Sequence, residues 1–178
     1  PNSVRDAISK LKVGGGKDDP QINSNWGEPK MTPEERVFAS NTFEIRAFET
    51  GNPRSPANAI PPNALAFGHL RYVVGTDVEQ LMPLLRAKLD KNNVKDISIT
   101  KERDPMLATR LNPDHPWSVW IVNSLSKTTG KNIAVMPNLG GSLPNDVFAS
   151  ILGLPTIWVP HSYAGCSQHA PNEHILET

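Results

Sequence analysis

Two alternating segments flank a connection rich in proline and asparagine, and this pairing limits the fold more than any other feature. Thr42 to Phe48 alternates in the manner of a strand, and Gly51 to Pro62 forms the connection. Ala64 to Val74 reads as a long second strand, with Leu65, Phe67 and Val73 on one face and Leu70 and Tyr72 on the other. Helical patterns lie on both sides. Ser3 is placed to cap a short helix bearing Val4, Ile8 and Leu11, which Gly14-Gly15-Gly16 would end. Lys17 to Lys30 reads as loop. Downstream, Thr76 to Glu79 resembles a capping box before a stripe of Val78, Leu81, Met82, Leu85 and Leu89. Pro83 within that stripe implies a kink or a shifted start. Val94 to Thr100 is expected as a third strand. The order α-β-β-α-β is that of a ferredoxin-like split unit without its first strand, so an open sheet edge is expected.

The pattern changes near residue 112. Pro116 suits the first turn of a helix whose apolar residues are Trp117, Trp120, Ile121 and Leu125, and Gly130 would end it. Ile133 to Met136 and Thr156 to Val159 are short apolar runs on either side of a helical pattern, Asn145 to Leu152, closed by Gly153. Two such runs with a helix between them form a parallel crossover. The expected class is therefore α/β: an α+β unit over residues 1–111, then part of a parallel-sheet unit over 112–178. No internal repeat is found.

Composition excludes several functions. Lys+Arg and Asp+Glu each number 18, so the net charge is zero and no nucleic-acid footprint is expected. No apolar run approaches a membrane span, and no signal peptide opens the chain. The single cysteine, Cys166, allows no internal disulfide, which points to a reducing cytoplasm. The start at Pro1-Asn2-Ser3, without Met, is expected to reflect processing or truncation.

In parallel α/β sheets, ligands bind beyond the carboxyl ends of the strands. Two loops leave such ends here. One carries Gly140-Gly141-Ser142, whose backbone N–H groups before a helix would favour an anion or a carbonyl oxygen. The other runs from His161 to His174 and includes His169, whose imidazole suits zinc. A separate structural zinc site built on Cys166, His169 and His174 lacks a fourth ligand. No paired base and orienter mark Cys166 as a nucleophile, and Ser142 lacks the Gly-x-Ser-x-Gly elbow. Trp117 and Trp120 read as core or interface residues, His161 as a strand-end polar residue, and His174 as a surface residue of a closing helix.

Three ordered motifs resemble the M20 family of di-zinc metallopeptidases and amidohydrolases, which includes aminoacylases, deacetylases and dipeptidases. They are Asn58-Ala59-Ile60-Pro61 with Leu70-Arg71-Tyr72, Gly140-Gly141-Ser142, and His169-Ala170-Pro171-Asn172-Glu173. The resemblance spans roughly residues 40 to 178. It implies that residues 1–111 are a lid and dimerisation domain, incomplete at its start, and that 112–178 close a zinc-dependent catalytic domain. It implies two zinc ions, with cobalt or manganese as substitutes, and His169 as one ligand. Asn58 and Arg71 would grip a substrate carboxylate, and Gly140, Gly141 and Ser142 would line the pocket. Glu173 would support the ligand loop or stand behind the metal. No catalytic residue is carried over, because the general base is expected upstream. The implied substrate is an N-acyl amino acid or dipeptide, and the implied partner is a second copy through the lid. A non-catalytic dimerisation or binding module derived from such an enzyme is the alternative.

Overall fold

Helix α1 spans Asn2–Ser9 and α2 spans Pro33–Phe38; strand β1 covers Thr42–Thr50 and β2 covers Ala64–Arg71. Helix α3 runs over Leu81–Lys91 and α4 over Pro116–Thr129. The computed structural model describes every residue except 18, 20, 142, 161, 164 and 176–178. Mixed helices with one small antiparallel sheet make this an α+β arrangement, in keeping with the class expected for a lid-like unit. Among the described residues, no helix is long and apolar enough to cross a membrane.

The N-terminal packing is the clearest core. Val4, Ala7 and Ile8 recur at helical spacing and are buried, Ile8 to 3% exposure. Pro1, not Ser3, is the N-cap, so Ser3 lies inside the helix. The helix ends at Ser9, earlier than the glycines, and the Ser9 hydroxyl donates to the Asp6 carbonyl at 2.9 Å. Helix α2 packs beside α1. Its start is a full capping box: Thr32 accepts from the Glu35 N–H at 3.2 Å, and Glu35 accepts from the Thr32 N–H at 2.9 Å. Pro33 follows the cap, where its missing N–H costs nothing. Glu34 Oε1 accepts from the Val13 N–H at 3.3 Å and ties the two helices together. The segment Thr32-Pro33-Glu34-Glu35 was a legible signal outside the sequence reading.

The hairpin forms where the alternation put it. Thr42 pairs with Arg71 and Thr50 with Ala64, with one bulge at Arg46. The period of two puts Thr42 and Glu44 on one face with His69 and Arg71. Phe43 and Ile45 share the other face with Gly68 and Leu70. The Phe43 ring lies across Gly68, where a Cβ would come within 2.6 Å of it, so any larger residue there would push the ring aside. Phe43, Ile45 and Phe48 are nevertheless exposed.

The expected third strand, Val94 to Thr100, is not a strand. Arg86 on α3 takes its carbonyls instead, donating to Val94 at 2.6 Å and Ile97 at 2.7 Å. The cap upstream also differs from expectation. Asp77, not Thr76, accepts from the Glu79 N–H at 3.1 Å and caps a 3₁₀ turn, Val78–Gln80. Thr76 instead donates to Asn41 Oδ1 at 3.2 Å. Pro83 falls in the first turn of α3, where it is tolerated, so the helix is shifted in its start rather than kinked.

Helix α4 matches its expected limits. His115 Nδ1 accepts from the Trp117 N–H at 3.2 Å, and Gly130 ends the helix at φ 66°. Beyond it, residues 133–136 and 156–159 have no regular secondary structure and no ladder bonds among the described residues. The segment between them carries a π-type turn, Val147–Ile151. Parallel pairs are stable when helices cover both faces; here Trp158 and Val159 are exposed. The accessible surface is 14751 Å². A compact monomer of 19.5 kDa would expose about 8,500 Å². Many large apolar side chains are exposed, Ile60, Phe48 and Ile151 among them.

Candidate functional site

Arg71 closes β2, and its side chain reaches across the molecule. Its Nη1 donates to the Gly140 carbonyl, sixty-nine positions away in sequence. Its Nε lies 3.5 Å from Glu44 Oε1, on the same face of the hairpin. The Gly140 loop has a second anchor: Asn138 Nδ2 donates to the Phe38 carbonyl at the end of α2, at 2.5 Å. The loop is therefore gripped from β2 and from α2. Gly140 and Gly141 have ordinary φ, and a Cβ on either would meet no atom within 4 Å. Neither backbone strain nor crowding within the chain calls for glycine there. Ser142 lies outside the described residues.

Tyr72, the next residue, grips a different segment. Its hydroxyl donates to the Met106 carbonyl at 2.6 Å, and the adjacent Leu107 N–H donates to Asp146 Oδ2 at 3.3 Å. Burial pushes the Tyr72 phenol above its ordinary range, and the Asp146 carboxylate adds to the rise. Asn145 continues the network. It donates to Thr109 Oγ1 at 2.6 Å and accepts from Trp158 Nε1 at 3.1 Å. Glu44, Tyr72, Asn145 and Asp146 were not identified from the sequence. Tyr72 was marked only by the expected alternation of residues 64–74 and its place beside Arg71, and Asn145 only as a helix start.

The loop from 163 to 174 folds on itself around Cys166, which is 2% exposed. The Cys166 N–H donates to the Tyr163 carbonyl, and the His174 N–H donates to the Cys166 carbonyl, both at 3.0 Å. Glu173 Oε2 accepts from the His169 N–H at 3.1 Å, so its carboxylate braces the backbone that presents His169. Ser167, His169 and Asn172 all have left-handed backbone, with φ between 56° and 65°. For residues with a Cβ this conformation costs roughly 1–2 kcal/mol each, offset here by the loop's hydrogen bonds. His169 is exposed at the tip.

His174 is bonded at both ring nitrogens and lies in the loop, not in a helix. Nδ1 is 2.8 Å from the Asn172 carbonyl, which can only accept. Nδ1 therefore carries a proton. In the neutral ring Nε2 accepts from the Tyr163 hydroxyl, also at 2.8 Å. Both nitrogens are occupied by the loop, which makes His174 a structural residue. His161 lies outside the described residues.

Arg71 and Gly140 are brought together; Asn58 and Arg71 are not. Asn58 sits in the exposed connection beyond Ala64, at the opposite end of the hairpin. Seven residues of strand separate Ala64 from Arg71, roughly 24 Å at the rise of an antiparallel strand. The connection that carries Asn58 thus joins the hairpin at the end away from Arg71.

Among the described residues, no three His, Cys, Asp or Glu side chains are grouped to hold a metal ion. A zinc site takes three or four protein ligands, and His169 alone does not meet that need. The donor set of the described residues does not fit a two-ion centre by itself.

The fold is similar to that of an M20 family metallo-carboxypeptidase, Sso-CP2 from Sulfolobus solfataricus. The likeness has a TM-score of 0.71 at 22% sequence identity and covers 98% of this chain. This chain spans 41% of the length of that one. No family model matches the sequence, and no curated protein matches it.

Proposed function

We propose that this chain is part of a zinc-dependent metallohydrolase that cleaves an amide or peptide bond next to a free carboxylate. The observation that carries the reading is the bond from Arg71 to Gly140, which joins two of the three family-like motifs in space. The fold likeness to a metallo-carboxypeptidase supports it.

In this reading residues 1–111 form the lid and 112–178 the end of the catalytic domain. His169 is one metal ligand, braced by Glu173. The remaining ligands and the general base come from outside the described residues. Zinc, or cobalt or manganese in its place, would supply an activated water. Arg71 takes the substrate carboxylate through its planar fork, and the backbone of Gly140, Gly141 and Ser142 lines the pocket. Asn58 reaches such a site only from a second copy or after a large lid movement. The substrate is an N-acyl amino acid or dipeptide. Homodimerisation through the lid would cover exposed Phe43, Ile45 and Phe48, and the protein would work in the cytoplasm.

The test is zinc content and turnover of N-acetyl amino acids and dipeptides by the polypeptide carrying this sequence. His169→Ala is expected to remove one zinc and all activity. Wild-type turnover by that variant at low metal would sink the reading.

A second reading is a non-catalytic dimerisation or binding module. The observation that favours it is the lack of a grouped ligand set among the described residues. Zinc near zero in both wild type and His169→Ala would support it.

A further inference from the structure

We propose that Glu44 is an internal carboxylate ligand of Arg71, which a ligand carboxylate must displace. The proposal rests on the reading of Arg71 as a carboxylate grip and adds a residue that sets its affinity.

The geometry begins with the guanidinium. Gly140 accepts from Nη1 and so orients the plane. The remaining edge, Nε with Nη2, is one of those that match the two oxygens of a carboxylate. Glu44 stands at that edge, with a nearest contact of 3.5 Å at Nε. That distance is beyond a normal charge-assisted hydrogen bond. Both side chains are also partly in water, 38% exposed for Arg71 and 49% for Glu44. An ion pair that is long, single and wet is weak. The site thus carries the right chemistry in a loosely held form, which an incoming carboxylate with better geometry can replace.

The hairpin explains why the two meet. Arg71 pairs with Thr42, and Glu44 is two residues along β1, so Glu44 and Arg71 are diagonal neighbours on one face. The released carboxylate has a place to go. His69 lies directly opposite Glu44, and its Nδ1 is buried with no hydrogen-bond partner among the described residues. A buried polar atom of this kind favours a partner when one arrives.

The experiment titrates N-acetyl-L-alanine, without metal, into the wild-type chain and three variants. The backbone amide shifts of Gly140 and Gly141 are followed by NMR, with N-acetyl-L-alaninamide as the uncharged control. Glu44→Gln is expected to tighten binding about two- to five-fold, the range an exposed ion pair accounts for. Glu49→Gln removes the same charge from the same strand without touching Arg71, and should leave affinity unchanged. Arg71→Lys should lose most binding. Unchanged or weaker binding by Glu44→Gln, while Arg71→Lys still loses it, overturns the role of Glu44 alone. Equal tightening by Glu49→Gln does the same, because general charge then explains the gain. Unchanged binding by Arg71→Lys overturns the carboxylate reading of Arg71 and this proposal with it.

Discussion

The loop around Cys166 and the end of β2 are both held by hydrogen bonds, but of opposite reach. Among the described residues of the loop, the bonds join positions within about a dozen of one another: Tyr163, Cys166, His169, Asn172, Glu173 and His174. At the strand end, Arg71 and Tyr72 bond to Gly140 and Met106, sixty-nine and thirty-four positions away. The loop can keep its shape while its surroundings move. The strand end cannot, because its bonds are the connection between distant segments. The candidate ligand His169 thus stands on a self-contained piece, and the candidate carboxylate grip on a joint. A site that closes on substrate needs both.

The largest expected effect tests the self-contained piece. Cys166→Leu forces extra volume into a position with almost no exposure and should cost about 1–3 kcal/mol. Hydrogen exchange should speed up at Cys166, Ala170 and His174, while the backbone amide shifts of Gly140 and Gly141 stay unchanged. A change in both regions would break the contrast. Next comes the joint. Arg71→Ala should lower local stability by about 1 kcal/mol, seen as shifted amide resonances around Asn138 to Gly141 with those of the loop at 163–174 unaffected. In an active enzyme the same variant should raise KM more than it lowers kcat, which steady-state kinetics would check.

Smaller effects sharpen the picture. Tyr163→Phe removes the donor to His174 Nε2 and should cost about 0.5–1 kcal/mol, confined to the loop and measurable by urea unfolding. The smallest effect lies in the N-terminal pair. Glu34's own backbone N–H holds its carboxyl below the usual range; desolvation opposes this, and the Val13 N–H and Thr32 hydroxyl add smaller lowering contributions. Because the folded value is depressed, this contribution is present above the ordinary carboxylate value of 4.5 and is lost as pH falls through the folded value. An NMR titration of Glu34 should show a midpoint below that of an unfolded peptide. Glu34→Gln should remove that pH dependence.

Parts of this molecule are written in short stretches of sequence. Helix α4 is bounded by Pro116 and Gly130, and both act through their own backbone: one lacks an N–H, the other adopts φ 66°. The hairpin follows from alternation on both sides of Gly51 to Pro62. The capping box at Thr32 was equally local and equally readable. The strand expected at Val94 to Thr100 is absent, and Arg86 binds two of its carbonyls, a contact that the alternation of the segment does not encode. The short runs at 133–136 and 156–159 have strand composition, but a strand exists only with a paired neighbour.

The candidate site divides in the same way. Sequence alone marked His169, Gly140, Gly141, Asn58 and Arg71, because each belongs to a short ordered motif. It also determined the caps, the turn residues and the alternation, all of which depend on backbone geometry within a few positions. Only the tertiary structure decided that Arg71 meets Gly140, that Glu44 stands at its free edge, and that Asn58 lies at the far end of the hairpin. It also decided that His174 gives both nitrogens to its own loop. Those facts depend on which surfaces bury one another, and burial couples residues through space at separations that spacing along the chain does not encode.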